Sequence, residues 1–421
     1  MKIKLAYGTK GLEVQVPDRQ VVKVLTMRNV PPMTDIYIEI TKTLLQPIGL
    51  NQTLFDMAKG RSSACILVCD ITRPVPNKII LPPVLKTLHA AGLRHDQITL
   101  LVATGIHRPN LNDELVELLG PDIAGHYRIE NHYAHDHSSH QHLGRTTRGT
   151  EVWLDRRYLA ADLKIATGFI EPHLMAGYSG GRKLIVPGIA SIETMRTMHG
   201  AALLSHPESR EGVIEGNPFH EEALEIACMA GVDFIVNVAL DEEKRIVRVF
   251  SGELEQAHRE GVRFVREIVQ DTVPAPVDVV ITTAGGYPLD KTWYQAIKGL
   301  TAAMPVVKPG GTIIIAAECS EGIGGEDFTR LVQEKADLQL FMQEILADKY
   351  FITDQWMLQE YAKVAGTCRV IVVSGGLSAA QKKSSHLSWS GTVESALQKL
   401  PGNARIAVIP KGPYILATVA A

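Results

Sequence analysis

The chain has 421 residues, of which 45% are apolar and 21% charged, an ordinary globular balance with room for about two to three domains. Its 43 basic and 46 acidic residues leave a net charge of −3, and only 6% of residues are aromatic, which argues against a polybasic or base-stacking nucleic-acid binder. Five cysteines, none in a Cys-x-x-Cys pair, do not make a disulfide scaffold and fit a reducing cytoplasm.

No apolar run approaches the ~18 residues of a membrane span, so no membrane partner is expected. The opening stretch MKIKLAYGTKGLEV alternates instead of forming an apolar block, so it is not expected to be a signal peptide. The first 30 residues read as short strands, KIKLAY, LEVQV and VVKVLTM, broken by Gly and Pro. A repeating theme follows. Strand-like runs at 64–69, 98–104, 163–169 and 234–240 alternate with helical patterns at 76–91, 112–119, 191–199 and 217–230. Buried strands alternating with helices predict a mostly parallel sheet covered on both faces. RIVRVF (245–250) is expected to add an antiparallel strand, and 252–270 a long helix.

After the Pro-rich break DTVPAPVD the theme restarts: strand 277–286, helix 292–307, and strands 312–317, 369–376 and 405–410. The expected architecture is α/β, with two α/β domains of mostly parallel sheets over 1–270 and 271–421. The default active site is the cleft between them.

Unusual clusters fall where strands end, which is where open α/β sheets bind ligands. CDITRPVP (69–76) presents Asp70 and Arg73; the arginine's planar fork suits a carboxylate or phosphate, although a cap and a surface arginine would look the same. VATGIHRP (102–109) offers His107 as a general base or as a plain turn residue. GFIEPHLMAGYSGGRKLIVPGIAS (168–191) carries Gly177, Gly180 and Gly181, then Arg182 and Lys183. Glycines permit close backbone approach to a ligand, and a phosphate nest is plausible, but the segment is not a Walker loop. Arg182 is expected to help depress the Lys183 pKa and leave a nucleophilic amine.

In SIETMRTMHG (191–200), Ser191 is a natural helix cap and His199 closes the helix, where a dipole-stabilised role competes with metal binding. In GGYPLDKTWYQAIKG (285–299), Tyr294, Gln295 and Lys298 can share a helix face. Trp356, in TDQWML, can wall a pocket or simply pack. The histidine-rich stretch 126–144 lacks a tetrahedral metal spacing and reads as a polar, irregular surface loop.

Taken together, DITRPVP, ATGIHRP, the long glycine-rich segment, MHG, GGYPLDKTWYQAIKG and DQW resemble the nickel-pincer lactate racemase family over essentially the whole chain. The resemblance implies a pyridinium-3,5-bisthiocarboxylic acid mononucleotide carrying nickel, made by separate cofactor-synthesis enzymes. Lys183 would hold it covalently and His199 would be the protein's nickel ligand. Soft donors in a near-planar site suit nickel(II). Asp70 and the Gly177, Gly180 and Gly181 turn would sit by the cofactor, His107 and His173 would be paired bases, Arg73 and Lys298 would hold a substrate carboxylate, and Tyr294, Gln295 and Trp356 would line the pocket. The implied activity is racemisation or epimerisation at C2 of a small 2-hydroxy acid, lactate or something larger. A non-catalytic carrier of nickel or of the nucleotide is the alternative, but it has no need of two bases and a carboxylate grip.

Overall fold

The computed structural model describes residues 1–420. Two six-stranded sheets organise it. In the first, the strands run in the order Ile246–Gly252, Phe234–Leu240, Leu163–Phe169, Ala64–Cys69, Ile98–Ala103, Arg128–Asn131. Neighbours are parallel except Ile246–Gly252, which pairs antiparallel at the edge as expected. ACILVC and FIVNVAL are buried at every position, because helices cover both faces of the sheet and leave no polar side.

The second sheet is parallel throughout, in the order Trp389–Ser390, Arg369–Val373, Val307–Ala316, Val277–Thr283, Ile406–Ile409, Val21–Val24. Its last strand comes from the beginning of the chain. The sequence reading assigned residues 1–270 to one unit; the hydrogen bonds of Val21–Val24 instead run to Ile406–Ile409. The reason is local: Ile406–Ile409 is buried throughout, and its second edge needs a partner.

The histidine-rich stretch is also corrected. Residues 132–139 are the expected loop, with one 3-10 turn and an exposed run at 135–138, but its flanks are strands: Arg128–Asn131 is an edge strand of the first sheet, and His140–Arg145 pairs with Glu151–Asp155. His132 is fully buried because both ring nitrogens are bonded, Nδ1 to Asp155 (3.1 Å) and Nε2 to the Ala190 carbonyl (3.0 Å).

Each sheet reverses its strand order once. The reversal lies between Ala64–Cys69 and Leu163–Phe169 in the first, and between Val277–Thr283 and Ile406–Ile409 in the second. The crevice outside the C-terminal ends of such strands is the natural ligand position, and the loops leaving all four strands meet in the cleft.

Candidate active site

The cleft has a first wall built on the turn after Ala64–Cys69. Asp70 is buried there, and its Oδ1 accepts the Thr72 backbone N–H at 2.9 Å. Its Oδ2 lies 2.6 Å from Nδ1 of His107, on the turn after Ile98–Ala103. Burial pushes the Asp70 carboxyl up, but the His107 hydrogen bond and charge, with Arg73 and Thr72, outweigh it and hold it below the usual range. In the neutral ring, with Nδ1–H donated to Asp70, the lone pair of His107 sits on Nε2, and the side chain is 40% exposed.

The loop between Phe169 and Lys183 forms the second wall. Pro172–His173 pairs with Gly177–Tyr178 in a tight antiparallel turn. Nδ1 of His173 accepts the backbone N–H groups of Met175 (3.3 Å) and Ala176 (3.2 Å), so the ring proton belongs on Nε2, 3.0 Å from Nζ of Lys183. Burial, then the charges of Arg73, Arg182 and Lys298, hold Lys183 well below its ordinary pKa. A neutral amine that accepts from the imidazole fits this contact.

Arg182, expected to help depress Lys183, does so, behind burial and Arg73. It is buried under the loop, where it donates to the carbonyls of Ala176 (2.7 Å), Tyr178 (2.9 Å) and Gly180 (3.3 Å). Of the three glycines singled out, Gly180 lines the cavity. Gly177 takes φ +75°, and a Cβ there would lie 1.9 Å from the Val213 carbonyl oxygen. Gly181 packs on His258 instead.

His199 follows the helix Ile192–Met198, which Ser191 caps by accepting the Thr194 N–H. Its Nδ1 meets the Met195 carbonyl at 3.2 Å, which leaves the Nε2 lone pair free. The ring packs 4.7 Å from Trp356 and 5.5 Å from Phe219, centroid to centroid. Burial lowers its pKa to about 4, so it is neutral and able to ligate.

The third wall belongs to the second unit. Thr292 caps the helix Trp293–Ala303, which presents Tyr294, Gln295 and Lys298. Trp356, on Gln355–Ala365, donates Nε1–H to the Tyr294 hydroxyl (3.1 Å), which itself donates to Asp354 (3.1 Å). Asp70, Arg73, His107, His173, Lys183, His199, Tyr294, Gln295, Lys298 and Trp356 all line one cavity of about 160 Å³, whereas Arg182 does not. Sequence reasoning missed two carboxylates. Asp354, held at φ +68°, anchors the Tyr294–Trp356 pair. Glu171 faces Lys244, Arg73, Lys298 and Lys183, and burial raises its pKa. Its one visible signal was its place two residues before His173.

Two α/β units bring a pair of histidines, a lysine held well below its ordinary pKa and the cations of Arg73 and Lys298 together in one cleft. Residues 7–212 match the family model "Lactate racemase N-terminal domain", and residues 272–417 match "Lactate racemase C-terminal domain". The lactate racemase of Thermoanaerobacterium thermosaccharolyticum is 35% identical over 98% of both chains. That of Lactiplantibacillus plantarum is 38% identical over 89% of both. The apoprotein structure of the first enzyme superposes with a TM-score of 0.94 at 34% identity, covering 99% of this chain and 100% of that one. A Thermotoga maritima protein shares the fold alone, at TM-score 0.69 and 17% identity, over 94% of this chain and 100% of that one. The chain belongs to the lactate racemase family and is an isomerase. No helix among the described residues is long and apolar enough to cross a membrane.

Proposed function

We propose that the chain inverts C2 of a 2-hydroxy acid by way of a 2-keto acid, with a nickel-pincer pyridinium nucleotide held by Lys183 and His199. The donor set supports this. Among the described residues no three His, Cys, Asp or Glu side chains converge on a metal position. A metal at His199 would take most of its donors from outside the protein, as an organic cofactor with soft donors can supply. A depressed lysine amine stands in the same cavity, and the buried Oε1 of Gln295 has no hydrogen-bond partner.

When bound, the nucleotide would supply a reversible acceptor for the C2 hydrogen, avoiding the carbanion that proton abstraction would leave. The protein's share is positioning and proton transfer. Arg73 and Lys298 hold the carboxylate, and the Tyr294–Trp356 pair walls the pocket. His107, kept in one tautomer by Asp70, takes or returns the hydroxyl proton for one enantiomer. His173 serves the other enantiomer from the opposite face, once Nε2 is released from Lys183 and the ring shifts to the tautomer with its proton on Nδ1 and a free lone pair on Nε2. Closure of the second unit retains the keto acid.

The observation that carries the reading is the convergence of both histidines, Lys183 and His199 with the Arg73–Lys298 grip in one cavity. The test is protein co-produced with cofactor-synthesis enzymes, read by peptide mass and nickel content. The expected result is an adduct at Lys183 with near-stoichiometric nickel, absent from Lys183→Ala. Racemisation in heavy water should leave the C2 hydrogen largely unexchanged. An unmodified Lys183 beside a working control enzyme, or fast deuterium entry at C2, would overturn the reading.

A further inference from the structure

The histidine-rich stretch takes no part in the proposed proton transfers, but it is stitched to the span that carries Lys183 and His199. Those two residues stand at the ends of the span, and its middle lies against the pair of strands His140–Arg145 and Glu151–Asp155. Asp155 donates its backbone N–H to the Ile189 carbonyl, Ser191 to the Trp153 carbonyl and Ile192 to the Ala134 carbonyl, each at 3.0 Å. The Thr194 hydroxyl accepts the Trp153 N–H at 2.9 Å and donates to the Glu151 carbonyl at 2.8 Å.

His132 closes this seam from inside. Its Nε2 lies 3.0 Å from the Ala190 carbonyl oxygen, and its Nδ1 lies 3.1 Å from Oδ2 of Asp155. A carbonyl oxygen only accepts. Burial pushes the Asp155 carboxyl up, but hydrogen bonds from Arg157 and His132 outweigh it and bring it down to about 2, so it also only accepts. A neutral imidazole has a single N–H. In either neutral tautomer, therefore, a ring lone pair would face an oxygen lone pair at a side chain with no exposure to water. Two donated bonds require two N–H groups and a positive charge on the ring.

The neighbours agree. Arg157 bridges Asp155 to Glu130 (3.0 Å), which completes an ion cluster beside the ring. His140 stands edge-on to His132, with 5.1 Å between ring centroids. Burial, then the charge of His132, lowers the His140 pKa, while Asp155 and Glu193, from the helix Ile192–Met198, act on it in the opposite sense.

The backbone of His132 faces the other catalytic element. Its N–H donates to the Val102 carbonyl at 3.1 Å, and its carbonyl accepts the Thr104 hydroxyl at 2.7 Å. Those residues lead into the turn of His107, where Gly105 donates to the Gly188 carbonyl at 3.0 Å. One residue thus joins the turn of His107 to the span of Lys183 and His199.

We propose that His132 is a positioning residue, a buried imidazolium that pins the backbone at Ala190 and so holds Lys183 and His199 in register with His107. Its bearing on the cofactor rests on the proposed function; the pinning itself does not.

The test starts with NMR of the nitrogen-15-labelled chain without cofactor. The His132 ring, assigned from its backbone, should show two protonated nitrogens between about pH 6 and 8. In His132→Gln a single amide nitrogen cannot span both oxygens, so the ring signals of His107 and His199 should both move. Loaded His132→Gln should release nickel to a chelator about 10–100-fold faster than wild type and lose kcat by a similar factor, with KM nearly unchanged. One unprotonated nitrogen in the His132 ring overturns the inference, and so do unmoved His107 and His199 signals or unchanged nickel release. If His132→Gln does not fold, Thr104→Val replaces it: losing only the hydroxyl bond to the His132 carbonyl, it should move the His107 and His132 signals, and unmoved signals overturn the inference. If Lys183 takes no adduct, the cofactor reading fails by itself, and the cofactor-free NMR results still decide the pinning.

Discussion

His173 and His107 are held by different means, and the difference sets what each can do. Backbone N–H groups fix His173 with its proton toward Lys183. A buried carboxylate fixes His107 with its lone pair toward the cleft. Asp70→Asn takes away both the charge and the tautomer preference of His107. It should lower kcat of loaded enzyme by about 10²–10⁴-fold with little change in KM; steady-state kinetics in both directions would show it. Asp70 and His107 were legible in the sequence because each follows a buried apolar run. Glu171 was not: a carboxylate two positions before a histidine reads as a turn residue until the fold sets Arg73, Lys298 and Lys244 around it. Asp354 was equally hidden, since its partner Tyr294 lies 60 residues away.

The glycine-rich segment works as an element because it is packed from below as well as open above. Arg182 ties together three of its carbonyls, and Gly177 lets the turn press against the backbone at Val213. Gly177→Ala combines a positive φ with a backbone clash, and should cost about 2–4 kcal/mol of stability, measurable by urea denaturation. The sequence showed that this segment was special but suggested ligand contact for all three glycines, whereas two of them serve packing. Strands were the most legible elements. ACILVC and FIVNVAL are fully buried runs whose limits in the fold match the sequence reading. The histidine-rich stretch misled because polarity argues for a surface, and nothing local reveals that Asp155 and the Ala190 carbonyl will satisfy His132.

At the scale of the molecule, the two units meet through polar contacts that no local pattern announces. Thr301 donates to Glu211 across the cleft at 2.7 Å, and Gln359 donates to the Ala201 carbonyl and to Ser205, both at 2.9 Å. Burial pushes the Glu211 carboxyl up from 4.5 to about 7. The stability such a group contributes is fully present below the unfolded value near 4.5 and is lost as pH rises through about 7. Glu211→Gln keeps the acceptor oxygen and removes the titration. Its Tm should match wild type near pH 4.5, exceed it progressively as pH rises toward 7, and keep a constant margin above that, as a calorimetric pH series would show. The division into two α/β units was legible from the restart of the strand–helix theme after the Pro-rich break. The crossing of Val21–Val24 into the second sheet was not, since a short strand carries no mark of which distant edge will take it.

That crossing has a consequence for how the protein is made. Val21–Val24 leaves the ribosome long before Ile406–Ile409, its partner in the sheet. At about 5–20 residues per second the strand waits roughly 20 to 80 s for that partner. The first sheet needs nothing beyond Gly252 to complete its strand set, so it can assemble during the wait. Lys183 and His199 lie on that earlier unit. Both are synthesised, and free to be reached from solution, before the wall that will close over them exists.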